Sequence, residues 1–134
     1  MPGIYGFSTS QKNGAESLQK MSKAMKLYPH FVQDSEFESD KLAASRQHLG
    51  RVGEKGSPLS SKGIYVWVEG EAYNLNDVCL VLALPEEMSL GKAMINAYQA
   101  GQLDSFLNRL DADFCAILYD KNIQTLKLIS DRYE

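Results

Sequence analysis

Two thiols, two imidazoles and an N-terminal proline are the groups in this sequence with the clearest capacity for chemistry. Cys79 and Cys115 each sit inside an apolar stretch, Asp77-Val78-Cys79-Leu80-Val81 and Asp113-Phe114-Cys115-Ala116-Ile117. Metal and redox sites need thiols paired at short spacing or joined by histidine, and the chain has no CxxC pair and no Cys/His cluster. Both cysteines are therefore expected to be buried small apolar groups, with no disulfide in a reducing compartment. His30 and His48 stand apart and are expected to be exposed or satisfied in a core rather than to bind a metal. Pro2 offers a different chemistry. Removal of Met1 exposes a secondary amine, which can act as a base where burial and nearby cations depress its pKa. Lys20, Lys23 and Lys26 fall on one side of a helical pattern and read as a solvated face. Tyr65 and Trp67, two apart on a strand, share a face and read as core packing rather than as a stacking platform.

These residues need elements to position them. Gly3 to Thr9 has strand alternation, with glycines that point to close backbone approach. Gly14 to Leu27 reads as a helix with Leu18, Met21 and Met25 at helical spacing, stopped by Pro29. Gln33 to Asp40 is polar and poorly defined, Leu42 to Val52 fits a strand, and Gly53 to Gly63 is loop. Ile64 to Val68 is a strand of β-branched and aromatic residues, after which Gly70 opens a turn. Cys79 to Leu84 fits either a strand or an extended loop before Pro85. Ser89 caps a helix running to Ala100, Gly101 breaks it, and a short helix spans Gln102 to Arg109. Phe114 to Tyr119 and Thr125 to Ile129 form a hairpin. The mixture with adjacent antiparallel strands is α+β, in one domain over 1–134.

A net charge of −3 without a basic stripe argues against a nucleic-acid partner. The longest apolar run, Val78 to Leu84, is too short to span a bilayer, and the N-terminus has no secretory pattern. A soluble, cytoplasmic protein without cofactor or metal is expected.

Three stretches carry a resemblance. Met1-Pro2-Gly3-Ile4-Tyr5-Gly6-Phe7 resembles the Met-Cys-Gly-Ile-x-Gly-Phe opening of class II glutamine amidotransferases. Val68-Glu69-Gly70-Glu71-Ala72-Tyr73-Asn74 resembles their Asn-Gly-Glu-Ile-Tyr-Asn turn. Leu110-Asp111-Ala112-Asp113-Phe114-Cys115-Ala116-Ile117-Leu118-Tyr119-Asp120, followed by Ser130-Asp131-Arg132-Tyr133, resembles the Leu-x-Gly-x-Phe-Ala-x-Ala-x-x-Asp strand and its Arg-Asp-Arg-Phe sequel. In their order, and at near-correct spacing, the three stretches resemble the glutaminase domain of the asparagine synthetases and of the β-lactam and carbapenam synthetases. The resemblance implies an N-terminal nucleophile hydrolase-like αββα sandwich of antiparallel sheets.

The family frees ammonia from glutamine with an N-terminal cysteine whose own amine is the base. Pro2 stands at that position and has no thiol. The family's oxyanion hole uses an Asn–Gly pair, and here Glu69 replaces the Asn while Gly70 remains. A carboxylate donates nothing to an oxyanion, and loss of one donor costs about 3–4 kcal/mol in the transition state. His48 stands where an Arg holds the substrate carboxylate, and Arg46, on the same face, is the alternative anion contact. Leu90 stands where an Asp holds the substrate amine. Gly3, Gly6, Gly70, Tyr73, Asn74, Phe114, Asp120, Asp131 and Arg132 keep the scaffold pattern. The resemblance therefore implies a catalytically inactive domain that does not bind glutamine and has a structural or partner-binding role. The alternative is a residual enzyme, either a glutamine amidohydrolase or one using the amine of Pro2. The family continues past Asp-Arg-x-Gly with more strands and a synthetase domain. Either a synthetase partner chain or self-association is expected to cover the sheet edges, unless the 134 residues are a piece of a longer protein.

Overall fold

The computed structural model describes residues 3–8, 14–50, 56–86 and 89–132. Pro2, Arg51 and Tyr133, and with them the nucleophile position and the ends of two expected elements, lie outside the described residues.

Strand β1 (Gly3–Ser8) pairs antiparallel with β4 (Leu42–His48) from Gly3↔Gln47 to Ser8↔Leu42. The expected close approach falls on Gly6, where a Cβ would lie 2.4 Å from the Ala43 carbonyl oxygen. On the other side of β4 lie two strands of two residues each, β2 (Val32–Gln33) and β3 (Phe37–Glu38). They occupy the segment expected to be poorly defined; strands this short and polar show no period to read. Strand β4 ends at His48 rather than at Val52, because Gly50 turns the chain at φ +71° and its N–H bonds back to His48 Nδ1.

The second sheet has the order β5 (Leu59–Ser61), β6 (Ile64–Ala72), β7 (Ala112–Asp120), β8 (Thr125–Ser130). β5 lies in the expected loop, and the β7–β8 hairpin forms as expected. β6 runs four residues beyond Val68, so Gly70 does not open a turn. It pairs with Phe114 inside the strand at φ +120°, and a Cβ there would sit 2.1 Å from the Asp113 carbonyl oxygen. Glycine is required because two backbones meet.

Helix α1 (Gly14–Met25) ends well short of Pro29 and covers the outer face of the first sheet, with Leu18 packed on Tyr5 and Ala43. Helices α2 (Leu75–Val81), α3 (Leu90–Gln99) and α4 (Leu103–Arg109) cover the outer face of the second. Of the segment expected as strand or loop at Cys79–Leu84, the first half is the end of α2 and the rest is turn and irregular chain. Leu75, Val78 and Cys79 are buried at helical spacing while Leu80 is 79% exposed, a division that a run of apolar residues does not display. Ser89 caps α3 as expected, its hydroxyl accepting from Lys92 N at 3.2 Å. Between the sheets lie Leu42, Ala44, Trp67 and Tyr119, flanked by Ile4, Phe37, Tyr65 and Ile117. Tyr65 and Trp67 are thus packing residues, with Phe37 set between them at ring distances of 4.5 and 5.4 Å. The layers run helix, sheet, sheet, helix, and the protein is α+β. No described helix is long and apolar enough to cross a membrane.

Candidate functional site

β4 is the central strand of its sheet and is buried along its whole length, including four consecutive polar residues, Ser45, Arg46, Gln47 and His48. Strand alternation divides them. Gln47 faces α1 and donates from Nε2 to the Ser22 carbonyl at 2.8 Å. Arg46 and His48 face the second sheet, two residues apart on one side, as their spacing predicts. Buried charge needs partners, and one carboxylate serves both. Arg46 Nε donates to Asp34 Oδ2 at 2.7 Å, and His48 Nε2 lies 3.3 Å from Asp34 Oδ1. Side-chain exposures of 1% for Arg46, 6% for Asp34 and 11% for His48 show how completely this set is withdrawn from water.

Arg46 also crosses to the second sheet. Its Nη1 donates to the Val68 carbonyl and lies 3.6 Å from Glu69 Oε2. Among the described residues β5 accompanies β6 only as far as Leu59↔Val66. The guanidinium satisfies a carbonyl two residues beyond the end of the neighbouring strand. Glu69 is the outermost member, with a quarter of its side chain exposed. Burial pushes its carboxyl above the ordinary value of 4.5; Arg46 and His48 pull it back, and Asp34 adds to the rise. The His48 tautomer follows from its neighbours. Nδ1 accepts the Gly50 N–H at 3.0 Å, so the ring proton of the neutral form sits on Nε2, facing Asp34.

Four of the residues singled out from the sequence therefore meet at one place: Arg46, His48, Glu69 and, next to Glu69 on β6, Gly70. The chemistry differs from the expectation for Arg46. It is not an open anion contact, because Asp34 already engages its guanidinium. Leu90 does not join the cluster. It is buried at the start of α3 in the core on the opposite face of the second sheet. Cys79 is buried as expected, but Cys115 is only half-buried, facing the first sheet on the open side of β7 opposite Glu69. His30 is exposed and stacks on Tyr28 at 5.5 Å. Tyr73 is exposed. Asn74 ties the end of β6 to the start of β7, donating to the Arg109 carbonyl at 2.9 Å and accepting from Asp111 N at 2.8 Å. Asp120 accepts from Tyr98 Oη at 2.9 Å and from Asn122 N at 2.9 Å, which pins the hairpin turn to α3. Asp131 accepts from Phe114 N at 3.2 Å. All of these are bracing contacts.

Asp34 is the member that sequence reasoning missed. It lies in a polar segment without periodicity. The one available signal was indirect: a buried Arg on a central strand requires a carboxylate, and the segment before β4 holds acids at Asp34, Glu36, Glu38 and Asp40.

Among the described residues no group of three or more His, Cys, Asp or Glu is arranged to hold a metal ion. A cleft of about 410 Å3 opens elsewhere, lined by Arg109, Asp111, Phe114, Ser130 and Arg132 among others, and includes none of the four charged residues of the cluster. No known protein-family model matches the chain, and no curated protein matches it.

Proposed function

We propose that this is a glutaminase-like domain of the asparagine synthetase type that does not hydrolyse glutamine and serves a structural or partner-binding role in the cytoplasm. The N-terminal nucleophile hydrolase fold is part of the same reading. Two facts about the scaffold support it. The resembling stretches lie on β1, on β6 and its exit, and on β7 to the end of β8, and β6, β7 and β8 are consecutive neighbours in one sheet. The layer order also agrees with the αββα sandwich that the resemblance implies.

The observation that carries the loss of chemistry is the closed charge cluster. In the family that the chain resembles, acyl transfer from glutamine uses a hydrogen-bond donor at the oxyanion and an Arg that holds the substrate carboxylate. Glu69 puts an acceptor where the donor belongs, and it faces Arg46 at 3.6 Å. Arg46 is in turn held by Asp34. The charges answer each other, and Arg46 is not presented to a ligand. A partner-binding role draws support from β8, the outer strand of the second sheet. Leu126 and Leu128 point to the same side as Trp67, yet Leu128 is 75% exposed.

The test is ammonia release from glutamine by the purified chain, together with covalent labelling by an electrophilic glutamine analogue read by mass spectrometry. Neither ammonia nor adduct is expected. Sustained release, or an adduct on any residue that glutamine protects, overturns the proposal.

A further inference from the structure

The cleft of about 410 Å3 at the end of α4 is lined by charges of both signs. Arg109 and Asp111 flank Leu110, whose φ of -67° and ψ of 135° make the chain extended there. Side chains two apart on an extended stretch fall on one side, about 7 Å from each other. Asn74 pins this stretch at both residues. Its Nδ2 donates to the Arg109 carbonyl at 2.9 Å, and its Oδ1 accepts from Asp111 N at 2.8 Å. The backbone is thus held while both side chains stand exposed. Arg132 lines the cleft from beyond the end of β8, and its Nη2 donates to the Asn108 carbonyl. A guanidinium has several N–H donors, so this one bond leaves others for a ligand. Although these charges share one cleft, no ion pair joins Arg109 or Arg132 to Asp111 or to another acid among the described residues. Leu107 and Phe114 add an apolar wall.

The unpaired charges select among ligands. A simple anion would suit the arginines and be repelled by Asp111, and a simple cation would meet the reverse. A ligand that carries both signs on adjacent atoms answers both and bridges a gap the side chains do not close themselves. A free α-amino acid has its ammonium and carboxylate on one carbon, whereas a peptide keeps them at opposite ends. The volume lies within the range of about 300–1,000 Å3 usual for small-molecule pockets. We infer that this cleft binds a free α-amino acid with an apolar side chain: the carboxylate on Arg109 and Arg132, the ammonium on Asp111, the side chain against Leu107 and Phe114. Asn74 is a positioning residue, acting through the backbone of Arg109 and Asp111. The inference goes beyond the glutaminase reading and does not rest on it, because the cleft includes none of Arg46, His48, Glu69 and Gly70.

The test is titration of the purified chain with L-leucine and with L-phenylalanine, followed by amide chemical shifts in NMR. Two halves of leucine are titrated in parallel: 4-methylpentanoate, which lacks the ammonium, and 3-methylbutan-1-amine, which lacks the carboxylate. At least one amino acid should give saturable shifts confined to residues 107–114 and 130–132, with a Kd of about 1–10 mM. Each half should bind at least about tenfold more weakly than leucine. Arg109→Gln and Asp111→Asn alter exposed side chains, so the amide spectrum should otherwise be kept, and each should weaken amino-acid binding by about tenfold. The inference is overturned if neither amino acid gives saturable shifts in these segments, if either half binds as tightly as leucine, or if either variant binds like the native chain. None of these outcomes bears on ammonia release from glutamine.

Discussion

Replacing Arg46 with methionine isolates what the charge contributes, because methionine keeps the straight stem and removes only the head group. Three partners lose their donor. Asp34, almost fully buried, keeps only the His48 contact at 3.3 Å; the Val68 carbonyl loses its side-chain donor; Glu69 loses the cation that offsets its burial. Removing one member of a buried ion pair costs about 3–5 kcal/mol, mostly as the penalty of the charge left behind. Against a total stability of about 5–15 kcal/mol, that is a fifth or more of what holds the domain together. In urea, with a slope of about 2 kcal/mol per molar, the midpoint should fall by about 2 M.

The companion variant, Asp34→Leu with Arg46→Met, removes both charges and should recover most of the loss, since a buried pair replaced by packed apolar groups is often neutral for stability. The coupling between the two positions should then exceed about 2 kcal/mol. Equilibrium urea unfolding of the native chain, both single variants and the double variant gives every number needed. A midpoint shift below about 0.5 M for Arg46→Met, or additive single effects, would refute the assignment of Arg46 and Asp34 as one buried unit.

Two further outcomes follow from the same geometry. Gly70→Ala forces a Cβ to within 2.1 Å of the Asp113 carbonyl oxygen and 2.6 Å of Phe114 Cα at φ +120°, so β6 and β7 must separate locally. Backbone strain of about 1–3 kcal/mol adds to the clash and should cost about 3 kcal/mol or more in thermal or urea unfolding. Gly56→Ala, also at positive φ but with no atom of the described residues within 4 Å, should cost only about 1–2 kcal/mol; equal losses at the two sites would show that contact with β7 is not the cause. Glu69→Gln tests the raised carboxyl pKa. Because the folded state holds the Glu69 proton more tightly than the unfolded state, the native chain has this contribution in full below pH 4.5 and loses it as pH rises through the folded value. Glutamine stays neutral throughout, so the stability of the variant relative to the native chain should rise between pH 4.5 and pH 7; a flat or falling difference would count against burial as the dominant influence on Glu69.

Elements long enough to show a period were legible in the sequence: β6 from Ile64, α3 behind its Ser89 cap, and the β7–β8 hairpin. Alternation on β4 placed Arg46 and His48 on one face, and they do share a partner. What was hidden had no local signature. β2, β3 and β5 have two or three residues each, too few for alternation to show, and exist because β4 and β6 offer edges to pair with. The helix at Leu75–Val81 carries apolar residues on both its buried and its exposed faces, so its pattern matched a strand equally well. Gly70 was recognisable as a special position, but its reason lies in the Asp113–Phe114 backbone across the sheet, far away in sequence. Asp34 was the largest omission, because a side chain that acts by reaching another strand leaves no spacing to count.

The buried charges have a consequence for how the layers fit together. On β4, Ser45 and Gln47 alternate with Arg46 and His48, and Gln47 and Arg46 meet different layers: Gln47 bonds to Ser22 on α1, while Arg46 bonds to Asp34, between β2 and β3, and to Val68 on the second sheet. A slip of one residue in β4 would turn Arg46 toward Leu18 and Tyr5 and leave its charge unpaired in an apolar cluster, at a cost of several kcal/mol. An apolar strand with the same burial would pay far less for that slip. The pair therefore acts more on register than on net stability, which is why the double apolar variant should keep its midpoint while holding its register less strictly. That role requires the charges to be closed upon one another. A ligand pocket requires one of them to stay open, and Asp34 closes this one.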